Sequence, residues 1–182
     1  MDVRIRERDL IERELRTAIR SGAVQSYYQP LMDLRTKQVV GFEALARWTH
    51  ATLGDVPPDR FIPVAKSCGL MNELSDCLLR QAAYAATQWP DVLTLSFNIS
   101  PSQLRDGTLG LRILSILGET GLSTHRLEIE LTESALVRDM EAAQDVLGAL
   151  RDAGVRIARL RNGTEHVESG FARADKYPCL VA

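Results

Sequence analysis

The sequence predicts an α/β protein, an incomplete barrel of strands and helices with one further helix in front of it. Three observations lead there. Strand-like and helix-like segments alternate singly from residue 94 onward, which implies βαβ units and a parallel sheet. The strands of that stretch are apolar on one face and polar on the other, where a doubly wound sheet would be apolar on both. Five strand-like segments can be counted in the 182 residues, against about eight in a closed (β/α) barrel.

Taken in order, residues 3–20 place Ile5, Leu10, Ile11, Leu15, Ala18 and Ile19 near helical spacing, with Gly22 as the stop. VQSYYQPLMDL and VVGFEALARW are β-like runs joined by a turn at Arg35–Gln38. ATLGDVPPDR reads as a loop from its glycine and paired prolines. Helical patterning follows in DRFIPVAKSCG and in MNELSDCLLRQAAYAATQW. TLSFNIS is then a strand, LGLRILSILGETG a helix ending near Gly121, and RLEIELTES a strand. MEAAQDVLGALRDAG is a helix ending near Gly154, and VRIA begins the fifth strand. Alternation puts Leu95, Phe97 and Ile99 opposite Thr94, Ser96 and Asn98, and Leu127, Ile129 and Leu131 opposite Glu128, Glu130 and Thr132. One apolar face beneath helices and one polar interior suit an incomplete TIM-type barrel.

Composition narrows the function classes. At 45% hydrophobic residues the chain can bury a core, and its net charge of −2 gives no electrostatic reason to expect nucleic acid or an anionic membrane. The sequence has no long apolar run for a membrane span, and its charged first residues are not a secretory signal. The three cysteines, Cys68, Cys77 and Cys179, lack metal or redox spacing, so a reduced cytoplasmic chain is expected.

Glu43, Asn98 and Glu130 stand out because each lies toward the C-terminal end of a predicted strand on its polar face, where barrel enzymes place their chemistry. An isolated strand glutamate is usually a solvated residue, and an asparagine before Ile-Ser-Pro is often a turn former. Convergence of all three on one rim favours a site. Two carboxylates and a carboxamide offer only oxygen donors, suited to Mg²⁺, Mn²⁺ or Ca²⁺ and not to zinc. Such an ion can polarise a phosphodiester and lower the pKa of a bound water.

YYQP (Tyr27–Pro30), FEALARW, FIPVAKSCGL, FNISPSQL and LEIELTES, in this order and spacing, resemble the EAL family of cyclic-di-GMP phosphodiesterases over residues 22–158. The resemblance implies hydrolysis of cyclic-di-GMP with Mg²⁺ or Mn²⁺, with Glu43, Asn98 and Glu130 as metal ligands. It also implies that Gln29, Leu45 and Arg47 contact the dinucleotide. Glu43, Leu45 and Arg47 alternate onto one strand face, as a shared site requires.

The resemblance ends where the family's strand reads R-[LI]-A-L-D-D-F-G-T-G. The chain instead continues from Val155–Ala158 into RLRNGTEHVESGFARADKYPCLVA, with Arg159, Leu160 and Arg161 in the region of the paired aspartates. The family's later catalytic groups have no counterpart in the tail. Glu165, His166 and Glu168 do not have metal-ligand spacing. Arg159–Gly163 can be encoded CGA CTT CGG AAC GGN, and a one-base shift reads GAC TTC GGA ACG, which is D-F-G-T. Residues 159–182 are accordingly read either as an out-of-frame continuation of a longer gene or as the tail of a short protein that evolved its own ending. The expected organisation is an N-terminal helix or linker (1–21), the front portion of an EAL barrel (22–158) and a divergent tail (159–182).

Loss of the aspartates predicts weak or absent metal binding, and Arg159 or Arg161 replacing the metal by an ion pair with Glu130 or Glu43. The expected function is a catalytically inactive, truncated family member that keeps nucleotide or protein binding. The alternatives are an active Mg- or Mn-dependent phosphodiesterase, or a remnant serving as an interaction module. An open sheet edge predicts self-association or a protein partner.

Overall fold

The computed structural model describes residues 2–132, 140–160 and 171–173, with side chains over 8–131 and 144–158. Helix α1 (Asp2–Ser21) buries Ile11, Leu15, Ala18 and Ile19, so it packs on the core as an integral helix. The chain then forms β1 (Val24–Asp33) and β2 (Val39–His50), which pair antiparallel. Their direction follows from the short turn between them, since a parallel partner needs a crossover of a dozen residues or more. The 51–60 segment, expected to be loop, contains a short strand, β3 (Gly54–Val56), that folds back on the end of β2.

Helices α2 (Pro58–Ser67) and α3 (Met71–Ala86) lead to β4 (Thr94–Asn98). A 3₁₀ turn (Pro101–Arg105) and α4 (Leu109–Thr120) lead to β5 (Leu127–Thr132). Helix α5 (Met140–Asp152) leads to β6 (Arg156–Leu160). The three predicted glycine stops, Gly22, Gly121 and Gly154, have φ of 72°, 80° and 93°, the left-handed conformation that ends a helix at little cost in a residue without Cβ.

β2, β4, β5 and β6 are mutually parallel neighbours, as the alternation of strands and helices predicts. A strand in the tail, β7 (Phe171–Arg173), was not foreseen; it pairs antiparallel with the far end of β1. The sheet order is β6-β5-β4-β2-β1-β7, with β3 beside β2, so among the described residues the sheet is open, with β6 and β7 at its ends. This is an incomplete barrel.

The core lies between one sheet face and the helices. Trp48, Phe61, Leu79, Leu95, Ile113 and Leu127 are almost wholly buried there. Arg126, 8% exposed, lies below this layer and closes the C-terminal end of α3. Its guanidinium donates to the carbonyls of Ala86 at 2.8 Å, Pro90 at 3.2 Å and Leu93 at 3.1 Å. It thereby ties the last residue of α3 to the segment that leads into β4, adding a second donor to the Ala86 and Pro90 carbonyls that Trp89 and Leu93 N–H already reach.

Candidate functional site at the strand rim

Pairing register assembles the site. Gln29 of β1 lies opposite Glu43 of β2, Glu43 is in register with Ser96 of β4, and Asn98 at the end of β4 is in register with Glu130 of β5. Four neighbouring strands thus each contribute one predicted residue to a single band. Glu43 is 1% and Glu130 6% exposed. The Asn98 carboxamide donates through Nδ2 to Glu43 Oε1 at 2.7 Å, a bond that ties β4 to β2.

Glu43 departs from its expected place in one respect. It is the fifth residue of a twelve-residue strand and not near its end. The parallel pairing with β4 stops at Ala44, and β2 runs on only because β1 and β3 continue the hairpin. Glu43 is therefore at the rim of the parallel sheet while lying mid-strand. Leu45 and Arg47, opposite Tyr27 and Gln25, stand on the extension beyond that rim. Arg47 is half-buried and donates to the carbonyl of Ala46 at 2.8 Å.

One layer deeper, Ser96 is fully buried and donates to Glu128 at 3.4 Å. Beyond β4, Ile99 N–H donates to the carbonyl of Glu130 at 3.1 Å, holding the strand end against β5. Ser100 and Gln103 then close the following turn in a capping-box arrangement. Sequence reasoning passed over these two residues, although their S-x-x-Q spacing is a known turn signature. Asp106, where that turn ends, accepts from Thr108, Arg112 and Asn72. The Thr108 hydroxyl, then the Arg112 guanidinium, hold its carboxyl well below the usual carboxylate range.

The donor set suits a hard dication only in part. Among the described residues no three His, Cys, Asp or Glu side chains come together, so the set reaches three oxygens only by counting Asn98. Asn98 presents Nδ2 to Glu43 and would have to turn its carboxamide over to ligate through Oδ1. Arg159 and Leu160 take the register positions opposite Leu131 and Thr132. Their side chains, and all of Arg161, Glu165, His166, Glu168 and Cys179, lie outside the described residues, so the expected arginine–glutamate pairing does too. Cys68 and Cys77 are free thiols. No described helix is long and apolar enough to cross a membrane.

The EAL domain model matches residues 12–169, beginning within α1 and running past Ala158. The chain belongs to the EAL domain family. An uncharacterized signaling protein of Caulobacter vibrioides is 45% identical over 164 residues, 90% of this chain and 20% of its own length. An uncharacterized protein of Mycobacterium bovis is 36% identical over 159 residues, 85% of this chain and 52% of its own length. The chain thus spans from about a fifth to about half of these relatives. Among solved structures, the PaMucR phosphodiesterase in complex with c-di-GMP is 28% identical with a TM-score of 0.77, over 81% of this chain and 62% of that one. The EAL domain protein of Listeria monocytogenes is 26% identical with a TM-score of 0.68, over 79% of this chain and 56% of that one. Against these EAL barrels the open sheet is a partial barrel.

Proposed function

We propose that the chain is a cytoplasmic EAL module that binds cyclic-di-GMP without hydrolysing it. The observation that carries this reading is the band Gln29–Glu43–Asn98–Glu130, assembled across four strands in a chain whose next strand departs from the family motif. Counting from Arg156, Ile157 and Ala158, the motif's leucine falls at Arg159 and its aspartates at Leu160 and Arg161. An apolar and a cationic residue replace two anionic ligands.

Gln29, Leu45 and Arg47 serve as the nucleotide contacts. Arg47 provides a guanidinium for a phosphate, which planar, bidentate geometry suits. Glu43, Asn98 and Glu130 would hold a Mg²⁺ or Mn²⁺ ion, weakly, because a hard dication prefers about six oxygens and the site supplies three side chains toward them. When bound, the ion would polarise the phosphodiester and acidify a water. Calorimetry with cyclic-di-GMP tests the binding. Measurable affinity is expected, with Arg47→Ala weakening it about tenfold or more, roughly 1.4 kcal/mol. A companion assay with Mn²⁺ should show no linear dinucleotide product. Turnover would overturn the inactive assignment, and the absence of any binding would leave the chain as an interaction module.

A further inference from the structure

We infer that Gln103 and Ser100 are positioning residues, a clasp that holds the Asn98 carboxamide against Glu43. The inference deepens the reading of Asn98 as a metal ligand and rests on it only for its consequence in binding.

Asn98 is the last residue of β4, and a strand end is where a side chain has the least support from neighbours. Two features beyond it restore that support. Ile99 N–H is bonded to the Glu130 carbonyl, so the chain stays in register with β5 for one more residue. The turn then closes on itself. Gln103 N–H donates to the Ser100 carbonyl at 2.9 Å, and Ser100 N–H donates back to Gln103 Oε1 at 3.1 Å. Pro101 fixes the first residue of the turn.

Gln103 is 3% exposed, which is unusual for a carboxamide at a strand rim. Its Nε2 has no hydrogen-bond partner, so the side chain's polar contribution is its acceptor oxygen alone. A buried amide donor left without a partner is unfavourable. Oε1 is therefore the polar tie of this side chain to the backbone around it. What Oε1 holds is the backbone two residues after Asn98, and with it the direction in which β4 delivers the 2.7 Å bond to Glu43.

The test is the side-chain amide signal of Asn98 in the full 182-residue chain, followed by NMR and hydrogen exchange. Gln103→Met keeps the bulk and removes the acceptor. Ser100→Pro removes the N–H at a residue whose φ of −73° already suits proline, so it tests the clasp even if the first variant fails to fold. Either variant should shift the Asn98 amide signal and speed its exchange by about tenfold. Ile113→Val, in the core of α4, should lower the melting temperature and leave that signal in place. An Asn98 signal unchanged in both clasp variants overturns the inference, as does an equal change in Ile113→Val. Mn²⁺ titration, run in parallel, separates the two readings. If the unmodified chain does not bind Mn²⁺ while the clasp variants still release Asn98, the clasp stands and the metal reading falls.

Discussion

At the scale of single residues, the polar groups that matter most are those whose loss leaves a buried partner behind. Arg126 closes the C-terminal end of α3 and also bridges to Asp91, which is 99% exposed at its side chain. The two partners are far from equal. Arg126→Met should cost about 1–3 kcal/mol in urea unfolding, because one buried guanidinium's bonds to the carbonyls of Ala86, Trp89, Pro90 and Leu93 are lost at once. Asp91→Ala should cost less than about 0.5 kcal/mol, since a solvated ion pair contributes little. A similar loss in both variants would show that the ion pair, and not the helix closure, is what Arg126 supplies. Asp106 gives a pH-dependent case. Its folded pKa is held below the ordinary range, so its contribution to stability is complete above that range and is lost as pH falls through it. The unmodified chain should therefore lose more stability than Asp106→Asn between about pH 6 and about pH 3. Equal losses would mean that other carboxylates set the acid sensitivity.

At the scale of elements, the sequence was most legible where periodicity and burial agree. TLSFN and LEIELT alternate cleanly, and the register then brings Asn98 beside Glu130 without further information. Helices α4 and α5 end at the predicted glycines because a left-handed residue stops a helix locally, with no need of tertiary contacts. Long-range pairing was less legible. β3 was hidden in a Gly- and Pro-rich stretch because only the end of β2 makes it a strand, and β7 depends in the same way on the open edge of β1. The clasp was hidden for the opposite reason: its spacing is local and short, and it gains meaning only once Asn98 is seen at a strand end. The approach of β2 to β4 is another such contact. A Cβ on Gly41 would lie 2.4 Å from the backbone oxygen of Thr94, so the two strands meet there only because position 41 has no side chain. Gly41→Ala should destabilise the fold by about 1–3 kcal/mol or more and perturb the Glu43–Asn98 bond two residues along. Unchanged stability, with unchanged amide shifts in both strands, would refute that tight approach.

At the scale of the whole molecule, the sheet that is open among the described residues carries a prediction about solution behaviour. β6 has β5 on one side, and among the described residues no strand on the other, while β7 covers only the end of β1. A parallel sheet is ordinarily covered on both faces and closed or flanked at its edges, because unpaired backbone groups and a half-lined interior are a template for another chain. The interior here is polar at Glu43, Ser96, Glu128 and Glu130, which limits indiscriminate collapse, while among the described residues the backbone edge of β6 has no strand beside it. The proposed frameshift origin of residues 159–182 bears on the same edge, and the gene decides it: codons for Arg159–Gly163 that cannot read D-F-G-T when shifted by one base end that proposal. The prediction of self-association through the edge is the same in either case, since it rests on the absence, among the described residues, of a strand beyond β6 and not on how the tail arose. The purified chain should elute in sizing experiments as a dimer or larger, with an apparent mass that rises with concentration, and its unfolding midpoint should rise as well, because assembly stabilises the folded state by mass action. The two measurements must agree for the edge to be responsible. A concentration-independent monomer that unfolds in one reversible step would show that the partial barrel is self-sufficient, and that the edge is closed by residues of the chain itself.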